Sequence, residues 1–168
     1  MRTNKTWLHV LIAGVLAIIE TVLLKNIEVL GARPDLSLIY IVFASLQLGS
    51  FYGQFPGFMS GLAQDILSLA PLGFHALIKT VISYLAGIFK GKVFLDAILF
   101  PLLLVAVATI IKAILAFLIG VIFISSDFAW SIFGINFLVE LGMNSFLAPF
   151  LYGFFKLIGV FQAVRSER

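Results

Sequence analysis

Few residues in this chain have chemistry to offer, and their placement is unusual. In the stretch GLAQDILSLAPLGFHAL, residues 61–77, Asp65 and His75 stand on either side of a tight Pro71-Leu72-Gly73 turn, and Lys79 follows one helical turn beyond His75. Glu20, Asp35, Lys112 and Glu140 complete a set of seven ionisable groups embedded in hydrocarbon. Carboxylates, an imidazole and ammonium groups in such a setting can do three things. They can form buried ion pairs that fix helix register, line a polar pocket, or relay a proton or ion. One histidine among scattered acids gives the relay reading little to work with. The elements that carry these groups decide between the other two.

The chain has 168 residues, 62% of them hydrophobic and 11% charged, with a mean hydropathy of +1.16. A soluble domain of this size is about half apolar and about a quarter charged. The excess of apolar residues has no soluble core to fill, so the composition is that of an integral membrane protein. No cysteine is present, which removes disulfides and thiolate metal sites from consideration. The net charge of +3 matters less than where the basic residues fall. The run Trp7–Leu24 follows Arg2 and Lys5 as a signal peptide would, but it is span-length and lacks a small-x-small cleavage site. It is expected to stay as the first span.

Six spans are predicted in one domain covering 1–168, at about 6–25, 34–49, 52–69, 72–89, 93–124 and 134–159. Pro34 suits a first helical position, with Asp35 at the positive end of the dipole. The fifth segment exceeds what a ~30 Å hydrocarbon core requires, so it must tilt, kink near Pro101 or begin at the interface. Merging the second and third spans would put Gly49, Gly53, Pro56 and Gly57 at the centre of one helix, which argues for two. With the N-terminus inside, Arg2, Lys5, Lys90, Lys92, Arg165 and Arg168 fall on the cytoplasmic side and only Lys25 and Arg33 outside. Positive-inside asymmetry then places both termini in the cytoplasm.

On these spans the seven ionisable groups all occupy the outer half of the membrane, while Lys90, Lys92 and Lys156 mark the inner interface. His75, Lys79 and Ser83 recur at i, i+4, i+8 on one stripe of span four, and Asn136, Glu140 and Asn144 do so on span six. Such stripes face the bundle interior, because a polar stripe against lipid is expensive. Lys79 and Lys112 are expected to pair with Glu20, Glu140 or Asp65. His9 falls at the inner interface and reads as an amphipathic anchor. Two distant histidines do not make a metal site, and no cofactor is expected.

Gly49, Gly53, Gly57 and Gly61 are spaced by four, a period that lets helices approach closely in a membrane, either within the chain or between two copies. Phe128, Trp130, Phe133 and Phe137 read as an aromatic belt at the outer interface, or more sharply as a partner surface. No Walker loop, Ser-His-Asp arrangement or zinc-protease helix is present, and few loop residues remain to build an active site. The chain reads as a non-enzyme.

The segments ARPDLSLIYIVFASLQLGSFYG (32–53) and GLAQDILSLAPLGFHALIKTVISYLAG (61–87) resemble the MreD family of bacterial rod shape-determining membrane proteins. The matching positions are Pro34, Asp35, Gly49, Gly53, Gly57, Asp65, Pro71, Gly73 and Gly87, and the last two spans agree in hydropathy alone. The resemblance implies an all-α polytopic protein of the bacterial cytoplasmic membrane, a single six-helix bundle similar to the S components of energy-coupling-factor vitamin transporters. It implies a role in cell elongation and lateral peptidoglycan synthesis, with an MreC-like bitopic protein as partner alongside the actin-like MreB, a glycosyltransferase and a transpeptidase. No nucleic-acid partner is implied. The alternative from the fold likeness is a small-molecule-binding S component of a vitamin transporter. Under the first reading Glu20, Asp35, Asp65, His75, Lys79, Lys112, Asn136, Glu140 and Asn144 would form an outward polar cavity or docking surface.

Overall fold

The computed structural model describes residues 2–24, 28–68, 70–92 and 99–161, with side chains from Thr6 onward. These residues form seven α-helices: α1 (Arg2–Val22), α2 (Leu36–Leu48), α3 (Ser50–Leu67), α4 (Phe74–Ile88), α5 (Leu99–Ile119), α6 (Ser126–Ser131) and α7 (Ile135–Leu157). A π-helical turn, Gly120–Ile124, continues α5 towards α6. Six of the seven overlap the six expected segments, α1 and α3 starting four and two residues before theirs, and α6 is a short addition between the last two. The expected start of the fifth segment at residue 93 lies outside the described residues, as do Lys25, Arg165 and Arg168.

Two of these elements are long and apolar enough to cross a membrane: the continuous helical run 99–124 and α7. Helices α2 and α4, with 13 and 15 residues, rise only about 20 and 22 Å, less than the ~30 Å of a hydrocarbon core. In α2 shortness goes with burial. Every residue of α2 from Ser37 to Leu46 is buried, and α2 touches α1, α3, α4, α5 and α7. A helix apolar on all sides belongs at the centre of its bundle.

Local chemistry sets the boundaries. Asp35 is the residue before α2 and accepts a 2.8 Å hydrogen bond from the Leu38 amide, a standard N-cap. Pro34 therefore sits one residue before the cap rather than in the first turn, and pre-sets the chain entering the cap. Gly49 separates α2 from α3 with φ of +89°, a conformation that a side chain at this position would strain. The chain reverses there, so α3 folds back against α2.

Small residues bring α3 against α2 and α4. A methyl group at Gly61 would stand 2.5 Å from the Ala76 Cα, one at Gly57 would be 2.6 Å from the Lys79 carbonyl oxygen, and one at Gly53 would be 2.8 Å from the Ser45 Cβ. Three of the four regularly spaced glycines thus serve contacts within the chain.

The end of the bundle away from Asp35 is aromatic. Tyr40, Phe43, Tyr152, Phe155 and Phe161 interlock with ring centroids 4.8–6.1 Å apart. His9 belongs to this cluster. It is 4% exposed, its Nδ1 lies 2.7 Å from the Tyr40 hydroxyl, and its ring stacks on Phe161. The expectation of an interfacial anchor at His9 is corrected: rings from distant segments close over it.

Candidate functional site

The polar residues meet at the opposite end, where α1 and α3 finish and α2 and α4 begin. Asp35 is the hub. Its Oδ1 accepts from Lys79 Nζ at 3.0 Å and its Oδ2 from Lys112 Nζ at 2.7 Å, while its own amide donates to Asn144 Oδ1 at 2.8 Å. Lys112 also donates to Glu140 Oε1 at 2.6 Å. Lys79 also donates to Glu20 Oε1 at 3.4 Å and to the Ser37 hydroxyl.

Glu20 is held from three directions. Its Oε2 accepts from the Ser37 amide at 2.8 Å, and its Oε1 is reached by the Ser37 hydroxyl and by the Gln64 amide nitrogen. Asn144 Nδ2 donates to Thr109 Oγ1 at 3.2 Å and lies 3.4 Å from Glu140 Oε1. Every one of the six longer helices therefore contributes to one network, with Asp35 entering as the cap of α2. Glu20, Asp35 and Lys79 are at most 4% exposed, whereas the side chains of Lys112 and Glu140 are 19% and 22% exposed. Buried charge survives only where partners and hydrogen bonds are this complete.

Asp65 and His75 stand apart from this network. Asp65 accepts from the backbone amides of Gly73, His75 and Ala76 at 2.8–3.1 Å, and from His75 Nδ1 at 2.8 Å. It caps α4 from the preceding helix: Gly73, with φ of +97°, offers no side chain to do so, and α4's first amides would otherwise be orphaned. The Pro71-Leu72-Gly73 turn is what swings those amides over the carboxylate. Asp65 was expected among the acids that pair with lysine; it pairs with His75 instead. Because an ionised carboxylate can only accept, Nδ1 carries the proton in this contact.

Asn136 also differs from its stripe. It is exposed at the start of α7, near Gly31, and does not join the cluster that holds Glu140 and Asn144. Gly49 faces the Lys90 side chain at the far end of α2. Three members of the network, Ser37, Gln64 and Thr109, are absent from the sequence reading. Thr109 precedes Lys112 by three residues and so shares its face. Ser37 follows the cap by two, and Gln64 adjoins Asp65, so neither spacing marks it as a partner of Glu20.

Above the network lies a cavity of about 310 Å³. Its floor holds Glu20, Asp35, Gln64, Thr109, Lys112 and Glu140, and its walls are the 31–34 loop, His75, Phe74, Phe128 and Phe137. The aromatic residues expected as an interfacial belt divide here: Phe128 and Phe137 line the cavity, and Trp130 and Phe133 pack on Phe117. Among the described residues no group of His, Asp or Glu is arranged to hold a metal ion.

A chain this apolar, helical through its described elements and with five charged side chains gathered into one largely buried cluster, is a membrane protein. A family model described as "rod shape-determining protein MreD" matches residues 1–158, and the chain belongs to that family. It is a rod shape-determining membrane protein, and its family is part of the MreBCD shape-determining system. No curated protein and no solved structure matches it at a significant level. The vitamin-transporter alternative gains no support from the family match.

Proposed function

We propose that this protein is a non-enzymatic, single-domain scaffold of the cell-elongation machinery, crossing the bacterial cytoplasmic membrane six times with both termini inside. It binds an MreC-like bitopic protein and, in part through it, helps organise MreB and the glycosyltransferase and transpeptidase of lateral wall synthesis. The observation that carries this reading is the family match over residues 1–158. The site agrees with it: the six longer helices meet in one network around Asp35, Lys79 and Lys112, which Glu20, Gln64, Glu140 and Asn144 extend to α1, α3 and α7, a device that fixes their relative positions. A rigid membrane body is what a positioning role needs. The charged groups there are acids paired to lysines.

The shorter helices α2 and α4 complete their crossings, in this reading, with the flanking turns and with neighbours that cover their ends. Asp35 and Asp65, expected as docking groups, are buried and set the helix ends from within, while His75, Asn136 and Glu140, at the cavity, form the surface offered outward. The test is co-purification of the tagged chain with an MreC-like partner from membranes. Recovery of the partner supports the scaffold reading, and its absence under conditions that keep the chain folded overturns it. Reporter fusions test the topology. Fusions after Arg168 and within 90–92 should read cytoplasmic, and those near Glu28, Ala70 and Asp127 external. An external signal at Arg168 would sink the six-span arrangement.

A further inference from the structure

Charge is unevenly spread around the cavity. The network at its floor sets three carboxylates, Glu20, Asp35 and Glu140, against two ammonium groups, Lys112 in the lining and Lys79 outside it. With every group ionised, one negative charge is left over. Glu140 uses Oε1 for both of its hydrogen bonds, leaving Oε2 an open acceptor on a side chain 22% exposed. Gln64, 8% exposed and also part of the lining, keeps its Oε1 buried with no hydrogen-bond partner. An unmet acceptor at this depth is costly unless something donates to it.

The opposite imbalance exists at the wall. Arg33, half-buried in the 31–34 loop, has no ion-pair partner among the described residues. An open cation on the wall and open acceptors with surplus negative charge at the floor are complementary to a zwitterion. The volume of about 310 Å³ is at the small end of ligand cavities.

We propose that this cavity binds a small zwitterion bearing a primary ammonium and a phosphate, of the phosphoethanolamine type. The ammonium points down, donating to Glu140 Oε2 and to Gln64 Oε1, and the anionic end meets the Arg33 guanidinium. Guanidinium suits phosphate because its fork of N–H donors matches two oxygens at once. A primary ammonium suits the floor because three N–H groups can serve acceptors that a quaternary ammonium cannot. This chemistry has two sources, a free metabolite or the headgroup of a phospholipid, and it does not depend on the partner assignment above.

The test uses the full chain in nanodiscs. In discs of phosphatidylglycerol, O-phosphoethanolamine should bind saturably by calorimetry and raise the melting temperature. Phosphocholine, which lacks ammonium N–H groups, should bind at least about tenfold more weakly, as should O-phosphoethanolamine to Arg33→Gln. Arg33→Gln should leave the melting temperature without ligand unchanged, since Arg33 holds no other element. Where discs of phosphatidylethanolamine abolish binding of the free compound, or stabilise the wild type over phosphatidylcholine discs in a manner lost in Arg33→Gln, the lipid headgroup is the occupant. Binding that is indifferent to the disc lipid identifies the free compound. No saturable binding together with no Arg33-dependent lipid effect overturns the proposal, and so does equal affinity for phosphocholine.

Discussion

The same three helices are held together by different physics at their two ends. Towards one end α1, α2 and α7 present Glu20, Asp35 with Ser37, and Glu140 with Asn144, and nearly every contact there is a directed hydrogen bond or ion pair. Towards the other they present His9, Tyr40 with Phe43, and Tyr152 with Phe155, joined mainly by ring packing. Ring packing tolerates adjustment, because dispersion and apolar contact depend weakly on angle. A buried ion network does not, because each group depends on a partner of defined charge at a defined place. The bundle thus has a specific end and an adaptable end. A cavity of about 310 Å³ opens over the specific one, among polar atoms that a ligand or partner can meet.

The largest effect should come from breaking the ionic end. Lys79→Ala leaves Asp35 and Glu20 without one of their cations, and removing one partner of a buried pair costs about 3–5 kcal/mol. The chain should melt markedly lower in detergent, and adding Glu20→Gln should restore part of the loss. Additive losses in the double variant would show that the groups do not couple, and the contrast between the ends would fail.

Next come the glycines that let α3 approach α4. Gly61→Ala places its methyl against backbone, the Ala76 Cα, which cannot rotate away, at a cost of about 1–3 kcal/mol for overpacking. Gly142→Ala, with nothing within 4 Å of the new methyl, should melt like the wild type. Equal stability of the two variants would place the α3–α4 contact elsewhere. Thermal unfolding followed by circular dichroism reads both.

A smaller loss is expected at the α4 cap. Asp65→Ala leaves the amides of Gly73, His75 and Ala76 without their acceptor, and loss of a cap costs about 0.5–2 kcal/mol. Asp65→Asn should recover part of it, since a carbonyl oxygen still accepts. Hydrogen exchange at residues 73–76 should quicken in the alanine variant; unchanged exchange would remove Asp65 from the capping role.

The mildest change should be Tyr40→Phe at the adaptable end. It deletes the hydroxyl beside His9 but keeps the ring, for about 1 kcal/mol. A loss as large as that of Lys79→Ala would mean that the aromatic end is as specific as the ionic one, and the comparison would have to be reversed.

Face was legible in the sequence because it depends on position along a helix. The spacing of Lys79 and Ser83, or of Glu140 and Asn144, places each pair on a buried stripe without knowledge of any neighbour. The separation of α2 from α3 was legible from Gly49 and Pro56, and Asp35 at the positive end of a helix was legible from its place before an apolar run, though not as the cap itself. Each of these depends only on nearby backbone geometry.

Partnership was not legible. Lys112 lies 77 residues from Asp35, and Lys79 lies 59 from Glu20, so only the packing of α4 and α5 around α2 selects those pairs from several acids at similar depth. Asp65 looked like one more acid for a lysine until the turn after α3 brought three backbone amides over it. His9 looked interfacial until Tyr40 and Phe161 closed around it. Composition and periodicity by themselves determined that the chain enters a membrane, where its helices lie and which groups turn inward. Tertiary structure alone decided which charge meets which, because Coulomb and hydrogen-bond energies depend on distances between helices that no spacing within one helix encodes.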